Sequence, residues 1–314
     1  MGPAQQVGAV DYFTHEPNLL PQIALQLKQP LILVVMQANR RTIGDLGMIE
    51  FGFSSSGTRV IFLHGGPGLY GYMQTFCESF AEHCSAIYYE QRGSKQGDMG
   101  IGIHHHLQDL EQIVDYYSNE SKPIIVGHSW GAMLAILFAG RYPKSIQKAI
   151  LTSCGPLNQV QGDEFQKVIN VRFGDRKEYY DNLWNAIDEE KDETKQQKLA
   201  DHYIDNIMEI YQMDSVSGSK IQPRYWDYKG AHKTMCESDE YMFKGEYESA
   251  LAKIHTPLTV IHGTYDIMSP DSIFSLVRKH VPHARTFELA RAGHYPWAGP
   301  RREEYLEILK QEMK

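Results

Sequence analysis

The chain has 314 residues, of which 42% are hydrophobic and 22% charged, so its composition indicates neither a disordered chain nor a fibrous repeat. The net charge of −8 lies entirely within residues 155–250, which hold 20 acidic and 12 basic side chains, and such a surface argues against a nucleic-acid partner. The longest aliphatic run, residues 31–36, is far shorter than the ~20 residues of a membrane span, and the N-terminal segment lacks the pattern of a secretory signal. We therefore expect a cytoplasmic protein that does not cross a membrane.

After an N-terminal extension, residues 1–30, short apolar runs alternate with segments of helical period. The predicted strands lie at residues 31–35, 48–53, 60–63, 86–89, 124–126, 148–151, 258–261 and 286–289. The predicted helices lie at residues 72–82, 105–118, 130–142, 269–280 and 301–313. This alternation predicts an α/β fold whose mostly parallel sheet has helices on both faces and binds its ligand at the C-terminal ends of the strands.

The alternation stops after residue 153 and resumes near residue 254. The intervening sequence has long amphipathic segments, with helices predicted at residues 181–192 and 196–211 and a break at 215–219. We predict a helical cap at residues 155–250, inserted into a core formed by residues 31–154 and 251–314, that excludes water and forms the substrate pocket. The acidic side chains of the cap are either solvated helix faces or a surface that attracts a cationic substrate group.

The sequence GHSWG at residues 127–131 follows a predicted strand and precedes a predicted helix. A serine on such an elbow, Ser129, has strained backbone angles and an accessible hydroxyl, and its flanking positions need glycine because neighbouring chain comes close. A glycine-rich turn before a buried helix fits the bare pattern equally well. Further motifs must therefore decide between the two interpretations.

A second motif, HGGPG at residues 64–68, follows the strand predicted at 60–63. Its glycines expose backbone N–H groups where hydrolases of this kind place an oxyanion donor. We predict that the N–H groups of Gly66 and Trp130 form an oxyanion hole. His64 is expected to be a structural hydrogen-bonding residue, and His128 a wall residue of the site.

The remaining two motifs place an acid and a base after later strands. Asp266 follows the strand at 258–261, and His294 follows the strand at 286–289. With Ser129 they give the order serine, aspartate, histidine, which is typical of an α/β-hydrolase catalytic triad. Asp98 and Asp109 are alternatives for the acid, but neither lies between the nucleophile and the histidine in the chain.

The chain resembles proline iminopeptidases, the prolyl aminopeptidases of the α/β-hydrolase superfamily, over roughly residues 45–154 and 251–312. Four motifs carry the resemblance: HGGPG at 64–68, QRG at 91–93, SWG at 129–131 and GHYPW at 293–297. The family usually has glycine where this chain has His128, and aspartate where it has Glu90. Neither change removes a catalytic atom, but together they indicate a divergent member.

The resemblance implies that Ser129 forms an acyl-enzyme and releases N-terminal proline, or another small residue, from peptides without a metal or organic cofactor. It also implies that glutamates of the cap bind the free α-amino group of the substrate. Glu237 matches the family's cap glutamate after a one-residue shift, and Glu209 lies at a plausible distance for a second. The competing interpretation of Glu237 is an exposed helix carboxylate.

Two other functions stay open at this stage. A carboxylesterase or lactonase would use the same triad, because a fold does not fix its substrate. A non-catalytic ligand-binding protein could retain the triad without turnover. Haloalkane dehalogenases and epoxide hydrolases are disfavoured because they normally have aspartate where this chain has Ser129.

Three consecutive histidines at 104–106 splay around a helix and cannot all face one metal ion, so no metal site is predicted.

Overall fold

The computed structural model describes residues 38–44, 46–52, 57–93, 101–119, 121–212, 221, 223 and 225–314. The strand predicted at residues 31–35 and the break predicted at 215–219 lie outside these residues, as does Asp98. The strands of the described part are β1 (Ala38–Ile43), β2 (Leu46–Phe51), β3 (Arg59–Leu63), β4 (Leu69–Tyr70), β5 (Ser85–Tyr89), β6 (Ile124–His128), β7 (Lys148–Thr152), β8 (Tyr225–Trp226), β9 (Leu258–Gly263) and β10 (Arg285–Leu289). The α-helices of the same part are α1 (Gln74–Glu78), α2 (Ile103–Tyr117), α3 (Trp130–Arg141), α4 (Gln159–Phe173), α5 (Lys177–Glu189), α6 (Glu193–Tyr211), α7 (Tyr228–Phe243), α8 (Glu246–Leu251), α9 (Pro270–His280) and α10 (Arg302–Glu312).

Within the described residues, eight strands form one sheet in the order β1-β2-β5-β3-β6-β7-β9-β10. The pairs β1·β2 and β2·β5 are antiparallel, and every other neighbouring pair is parallel. The predicted α/β fold with a mostly parallel sheet is therefore confirmed. Among the described residues, no helix combines the length and the apolar character needed to cross a bilayer.

The central strands are buried on both faces, which explains their nearly continuous apolar sequences. In β3, Ile61 and Leu63 belong to a cluster on one face with α2, α3 and α9. Val60 and Phe62 belong to a cluster on the other face with α1 and α10. Because successive side chains of a strand point to opposite faces, one apolar run supplies both halves of the core.

The helices of the core differ little from the predicted bounds, with one exception. The helix predicted at residues 72–82 is only Gln74–Glu78, because the chain then continues in tighter turns in which the N–H groups of Phe80 and Ala81 bond to carbonyls three residues earlier. The first strand, β1, was not predicted, since its sequence ANRRTI is polar and its side chains are largely exposed at the sheet edge.

The segment between β7 and β9, which we call the insertion, contains α4 to α8 and β8. Helices α5 and α6 correspond to the two predicted ones, whereas α4, α7 and α8 were not predicted. Side-chain caps mark three of the starts, since Asn158 accepts the N–H of Gln161 at α4, Asp192 that of Lys195 at α6 and Asp227 that of Gly230 at α7. The strand β8 pairs with β4, which joins the insertion to the segment after the HGGPG loop.

Candidate active site

Ser129 lies between β6 and α3 in a conformation that is rare for a residue with a side chain, with φ 54° and ψ −117°. Its N–H donates to the carbonyl of Thr152 on the neighbouring strand at 3.0 Å. A Cβ atom at Gly131 would lie 2.2 Å from the carbonyl oxygen of Leu63, and one at Gly127 would lie 2.3 Å from that of Gly131. Close packing of the chain around Ser129 therefore explains both glycines of the GHSWG sequence.

The HGGPG loop lies directly against this elbow. A Cβ atom at Gly65 would come within 2.6 Å of the Cβ of Ser129, and Gly66 has a positive φ of 43°. Trp130 is the first residue of α3, so its N–H has no acceptor within the helix. Among the described residues, neither the N–H of Gly66 nor that of Trp130 donates to a protein acceptor. Their role as an oxyanion hole stays a prediction.

Gln91 links the HGGPG loop to the side chain of Trp130. Its amide NH2 donates to the carbonyl of His64 at 2.7 Å, and its amide oxygen accepts the indole N–H of Trp130 at 3.0 Å. Burial lowers the pKa of His64 to about 4, so the ring is neutral. His64 Nδ1 donates to the carbonyl of Gly65 and Nε2 accepts the N–H of Gln91, which agrees with the structural role expected for His64.

Asp266 and His294 form a buried pair, with 2.7 Å between Asp266 Oδ1 and His294 Nδ1. Oδ1 also accepts the N–H of Ile267 at 2.6 Å. Burial by itself raises the pKa of the Asp266 carboxyl, but the imidazoles of His294 and His262 and the hydrogen bond from His294 outweigh it and hold the pKa below its ordinary range. Asp266 is therefore a carboxylate that can orient His294 and stabilise its protonated form.

Asp266 has a second histidine partner. His262 Nε2 lies 3.2 Å from Asp266 Oδ2 and 3.1 Å from the carbonyl of Met268. Burial lowers the pKa of His262, so its neutral ring donates from Nε2. Asp109, the alternative acid, instead forms an ion pair with Arg92.

The structure brings Ser129, Asp266 and His294 to the C-terminal ends of β6, β9 and β10, at the same edge of the sheet. The hydrogen bonds of the described residues include none between the Ser129 hydroxyl and His294. Such contacts are often long in an enzyme without substrate and tighten when substrate binds. His128, beside Ser129, has its ring centroid 4.9 Å from that of His294.

Several side chains of the insertion reach this region, and one of them, Gln212, accepts the N–H of Tyr295 at 2.8 Å. The ring of Tyr211, at the end of α6, lies 5.4 Å from that of His294. Arg172 of α4 donates to the carbonyl of Asp266 at 2.6 Å and to that of Ile210 at 3.0 Å. The end of α6 is thereby tied to the loop that carries the acid.

The two predicted substrate ligands lie in different surroundings. Glu237 Oε2 accepts the N–H of Ile103 at 2.7 Å, so this carboxylate caps the N-terminus of α2. A carboxylate is favoured there because the first N–H groups of a helix have no partner within it. Glu209 lies on α6 with an exposed side chain. That either residue binds a substrate amine stays a prediction.

The histidines at 104–106 do not all splay apart as expected, since the ring centroids of His104 and His105 lie 3.6 Å from each other, whereas His106 is buried near Thr234 at 3.3 Å. Within the described residues, no group of three or more His, Cys, Asp or Glu side chains is arranged to hold a metal ion.

The sequence matches the α/β hydrolase fold family over residues 58–297. The chain belongs to the α/β hydrolase family. Its resemblance to proline iminopeptidases is confirmed by the enzyme of that name from Saccharolobus solfataricus, which is 21% identical over 82% of this chain and 84% of its own length. Three more proline iminopeptidases match parts of the chain at 23–30% identity.

This α/β hydrolase is also similar to proteins of other names. A cis-3-alkyl-4-alkyloxetan-2-one decarboxylase from Shewanella oneidensis is 20% identical over 76% of this chain and 77% of its own length. Among solved structures, that of VinJ superposes with a TM-score of 0.64 and 17% sequence identity, covering 88% of this chain and 98% of the other. At this identity the structural likeness supports the fold alone.

Sequence reasoning missed several residues of the candidate site. Gln91 lies in the QRG motif, so the sequence drew attention to its position but did not indicate its hydrogen bonds to His64 and Trp130. His262 stands four residues before Asp266, a spacing that could have been noticed. Gln212 and Arg172 lie in the insertion, and no motif marks them.

Proposed function

We propose that the protein is a serine hydrolase that forms an acyl-enzyme on Ser129 and releases N-terminal proline, or another small residue, from peptides. The proposal depends on one observation: His294 and the ionised carboxylate of Asp266 form a buried pair. The pair lies at the edge of the sheet at which the strained elbow places Ser129. A serine hydroxyl needs a neighbouring base to become a nucleophile at neutral pH, and this is the arrangement that supplies one.

In the proposed reaction, the Ser129 oxygen bonds to the substrate carbonyl carbon while its proton passes to Nε2 of His294. Asp266 stabilises the imidazolium that forms, and the N–H groups of Gly66 and Trp130 bind the oxyanion. The C–N bond then breaks as His294 gives the proton to the leaving amine. Water, deprotonated by His294, releases the acyl group and restores the Ser129 hydroxyl.

The choice of an amine-bearing substrate is supported by the relatives and by the acidic insertion. Four relatives are named proline iminopeptidases. Glu237 and Glu209 are the proposed ligands of the substrate ammonium. Glu237 Oε2 already accepts the N–H of Ile103 at the start of α2, so substitution of Glu237 also removes a helix cap. Glu209 is therefore the more informative position to substitute.

The test compares hydrolysis of L-prolyl-, L-alanyl- and N-acetyl-L-prolyl-β-naphthylamide with that of p-nitrophenyl acetate, in the wild type and in Ser129→Ala. We expect Ser129-dependent cleavage that prefers the free prolyl amide. We also expect Glu209→Gln and Glu237→Gln to raise KM for that amide while leaving KM for the acetate ester unchanged. Equal cleavage of the free and the acetylated amide would contradict an ammonium site.

An esterase or lactonase is the second candidate. A relative whose name specifies an oxetan-2-one, a four-membered lactone, favours it. Cleavage of the acetate ester alone, dependent on Ser129, would establish this candidate and reject the peptidase. A cytoplasmic location stays a prediction.

A further inference from the structure

One peptide group in the active site is held at both edges. It is the group that links His294 to Tyr295, immediately after the proposed base. Its carbonyl accepts a hydrogen bond from His128 Nε2 at 2.8 Å, and its N–H donates to the amide oxygen of Gln212 at 2.8 Å. Both partners are buried, with 1% of His128 and 7% of Gln212 exposed. One comes from the sheet and the other from the insertion.

The protons along this chain of bonds can be assigned from the acceptors. A carbonyl oxygen only accepts, so Nε2 of His128 must carry the proton. Burial, aided by the neighbouring His294, holds the pKa of His128 well below its ordinary range, so the ring is neutral and Nδ1 has a lone pair. The hydroxyl of Tyr72 therefore donates to Nδ1 at 2.7 Å, while its oxygen accepts the N–H of Gly65.

The consequence is a continuous set of hydrogen bonds from the HGGPG loop to the peptide that carries His294. Every donor has an acceptor, and all the bonds run in one direction, from the N–H of Gly65 through Tyr72 and His128 to the carbonyl of His294. Buried networks in which each member is satisfied hold their groups rigidly. The network thus joins the oxyanion loop, the residue before the nucleophile, and the base.

We propose that His128 and Gln212 are positioning residues that fix the imidazole of His294 relative to Ser129. The proposal rests on the serine hydrolase function given above. His128 and Ser129 are adjacent in the chain, so a bond from His128 to the backbone of His294 ties the base to the nucleophile across 166 positions of sequence. A displacement of about 1 Å between reacting groups costs on the order of 10²-fold in rate.

Gln212 holds the same peptide from the opposite side. It directly follows α6, whose last turn is tied to the Asp266 loop by Arg172, which donates to the carbonyls of Ile210 and Asp266. The insertion is therefore fixed to the acid and to the base at once. A change in the insertion at this point would alter the geometry of His294 without touching the catalytic side chains.

The test uses the full chain and measures kcat and KM for p-nitrophenyl acetate together with the rate of Ser129 labelling by a fluorophosphonate probe. In His128→Phe an aromatic ring is kept but both nitrogens are lost, whereas in His128→Gln the amide can accept from Tyr72 and donate to the carbonyl of His294. We expect His128→Phe to lower kcat and the labelling rate by about 10- to 100-fold with little change in KM, and His128→Gln to recover most of that loss.

Gln212→Leu provides a matched perturbation from the insertion, and we expect it to lower kcat by about 10-fold, again with KM nearly unchanged. The tautomer is tested independently by ¹⁵N NMR of the imidazoles, where His128 should be neutral with its proton on Nε2 at neutral pH. A proton on Nδ1, or His128→Phe and His128→Gln with equal kcat, would overturn the proposal.

The outcomes separate this proposal from the function on which it rests. If the fluorophosphonate probe does not label Ser129 in the wild type, the serine hydrolase function is rejected, and the positioning role with it. The NMR assignment of the His128 tautomer would then describe the structure alone. Should His128→Phe fail to fold, as judged by its thermal unfolding, Gln212→Leu decides, and a kcat within about 2-fold of the wild type would reject positioning.

Discussion

Replacement of Asp266 by asparagine is expected to remove a buried charge while leaving the hydrogen-bond geometry of His294 in place. Asp266 Oδ1 accepts the N–H of Ile267 and faces His294 Nδ1, so the carbonyl oxygen of the new amide should occupy this position. An NH2 group there would face the N–H of Ile267. The amide NH2 then takes the place of Oδ2, where it opposes the N–H of His262 Nε2, so this side of the residue loses its acceptor and some stability is expected to be lost as well. His294 therefore keeps the proton on Nδ1 and a free Nε2.

The expected loss follows from the charge that the mechanism creates. The imidazolium of His294 forms only after Ser129 has given up its proton, so its attraction to Asp266 stabilises the transition state and not the resting enzyme. Two unit charges whose centres lie about 4 Å apart attract by about 4 kcal/mol at an effective dielectric constant near 20. Both side chains are buried, so salt screens the pair weakly. We expect kcat to fall by about 10³-fold.

The assay is the hydrolysis of p-nitrophenyl acetate at neutral and mildly alkaline pH, with thermal unfolding as the measure of folding. Asp271→Asn, in an exposed position at the start of α9, is the matched control and should retain wild-type kcat. A folded Asp266→Asn variant with kcat within about 10-fold of the wild type would refute the assignment of Asp266 as the charge partner of His294.

Three further predictions concern stability. Gly131→Ala would place a Cβ atom 2.2 Å from a carbonyl oxygen of β3 and should lower the free energy of unfolding by about 3 kcal/mol. Its control, Gly245→Ala, lies at φ 70° in open surroundings and should lower that free energy by about 1 kcal/mol. Equal losses in urea unfolding would contradict the steric argument. Arg172→Met removes charged hydrogen bonds to the loop after β9 and should cost about 2 kcal/mol and lower kcat; an unchanged urea midpoint would reject this contribution. Burial lowers the pKa of His64 to about 4 and of His106 to about 3, so below pH 6.5 the unfolded chain binds protons that the folded one does not. Between pH 6.5 and 5, each of these two histidines should lower the free energy of unfolding by about 1.5 kcal/mol. In His106→Asn the fall in the free energy of unfolding over this pH range should be smaller than in the wild type by that amount.

The central strands and the motifs that follow them could be predicted because each depends on local sequence. The apolar run at residues 60–63 predicts a strand buried on both faces, and the structure contains it as β3. The same holds for the strand before Asp266, which is β9. Each proposed triad residue follows a predicted strand, and parallel strands place their C-terminal ends at one edge of the sheet. These two facts were enough to predict that the three residues would lie at the same edge.

Other elements could not be predicted because their sequences carry a weak pattern. The polar edge strand β1 is defined by its antiparallel pairing with β2, which supplies the hydrogen bonds that its own side chains do not indicate. Helix α4 buries only Gln161, Ile169 and Phe173, so it has no clear apolar stripe. Its place in the insertion is decided by contacts with distant residues.

The sequence by itself predicted the elbow at Ser129, because GHSWG lies between a predicted strand and a predicted helix and the HGGPG, Asp266 and His294 motifs follow other strands; in the structure, close approach of backbone excludes a Cβ atom at Gly127 and Gly131. Only the tertiary structure decided that Glu237 caps α2 and that His128 bonds to the backbone of His294. The partners in these bonds are 134 and 166 positions apart in the chain. A hydrogen bond needs its two atoms within about 3 Å, and for such distant residues that separation is set by the packing of whole strands and helices, which no local pattern records.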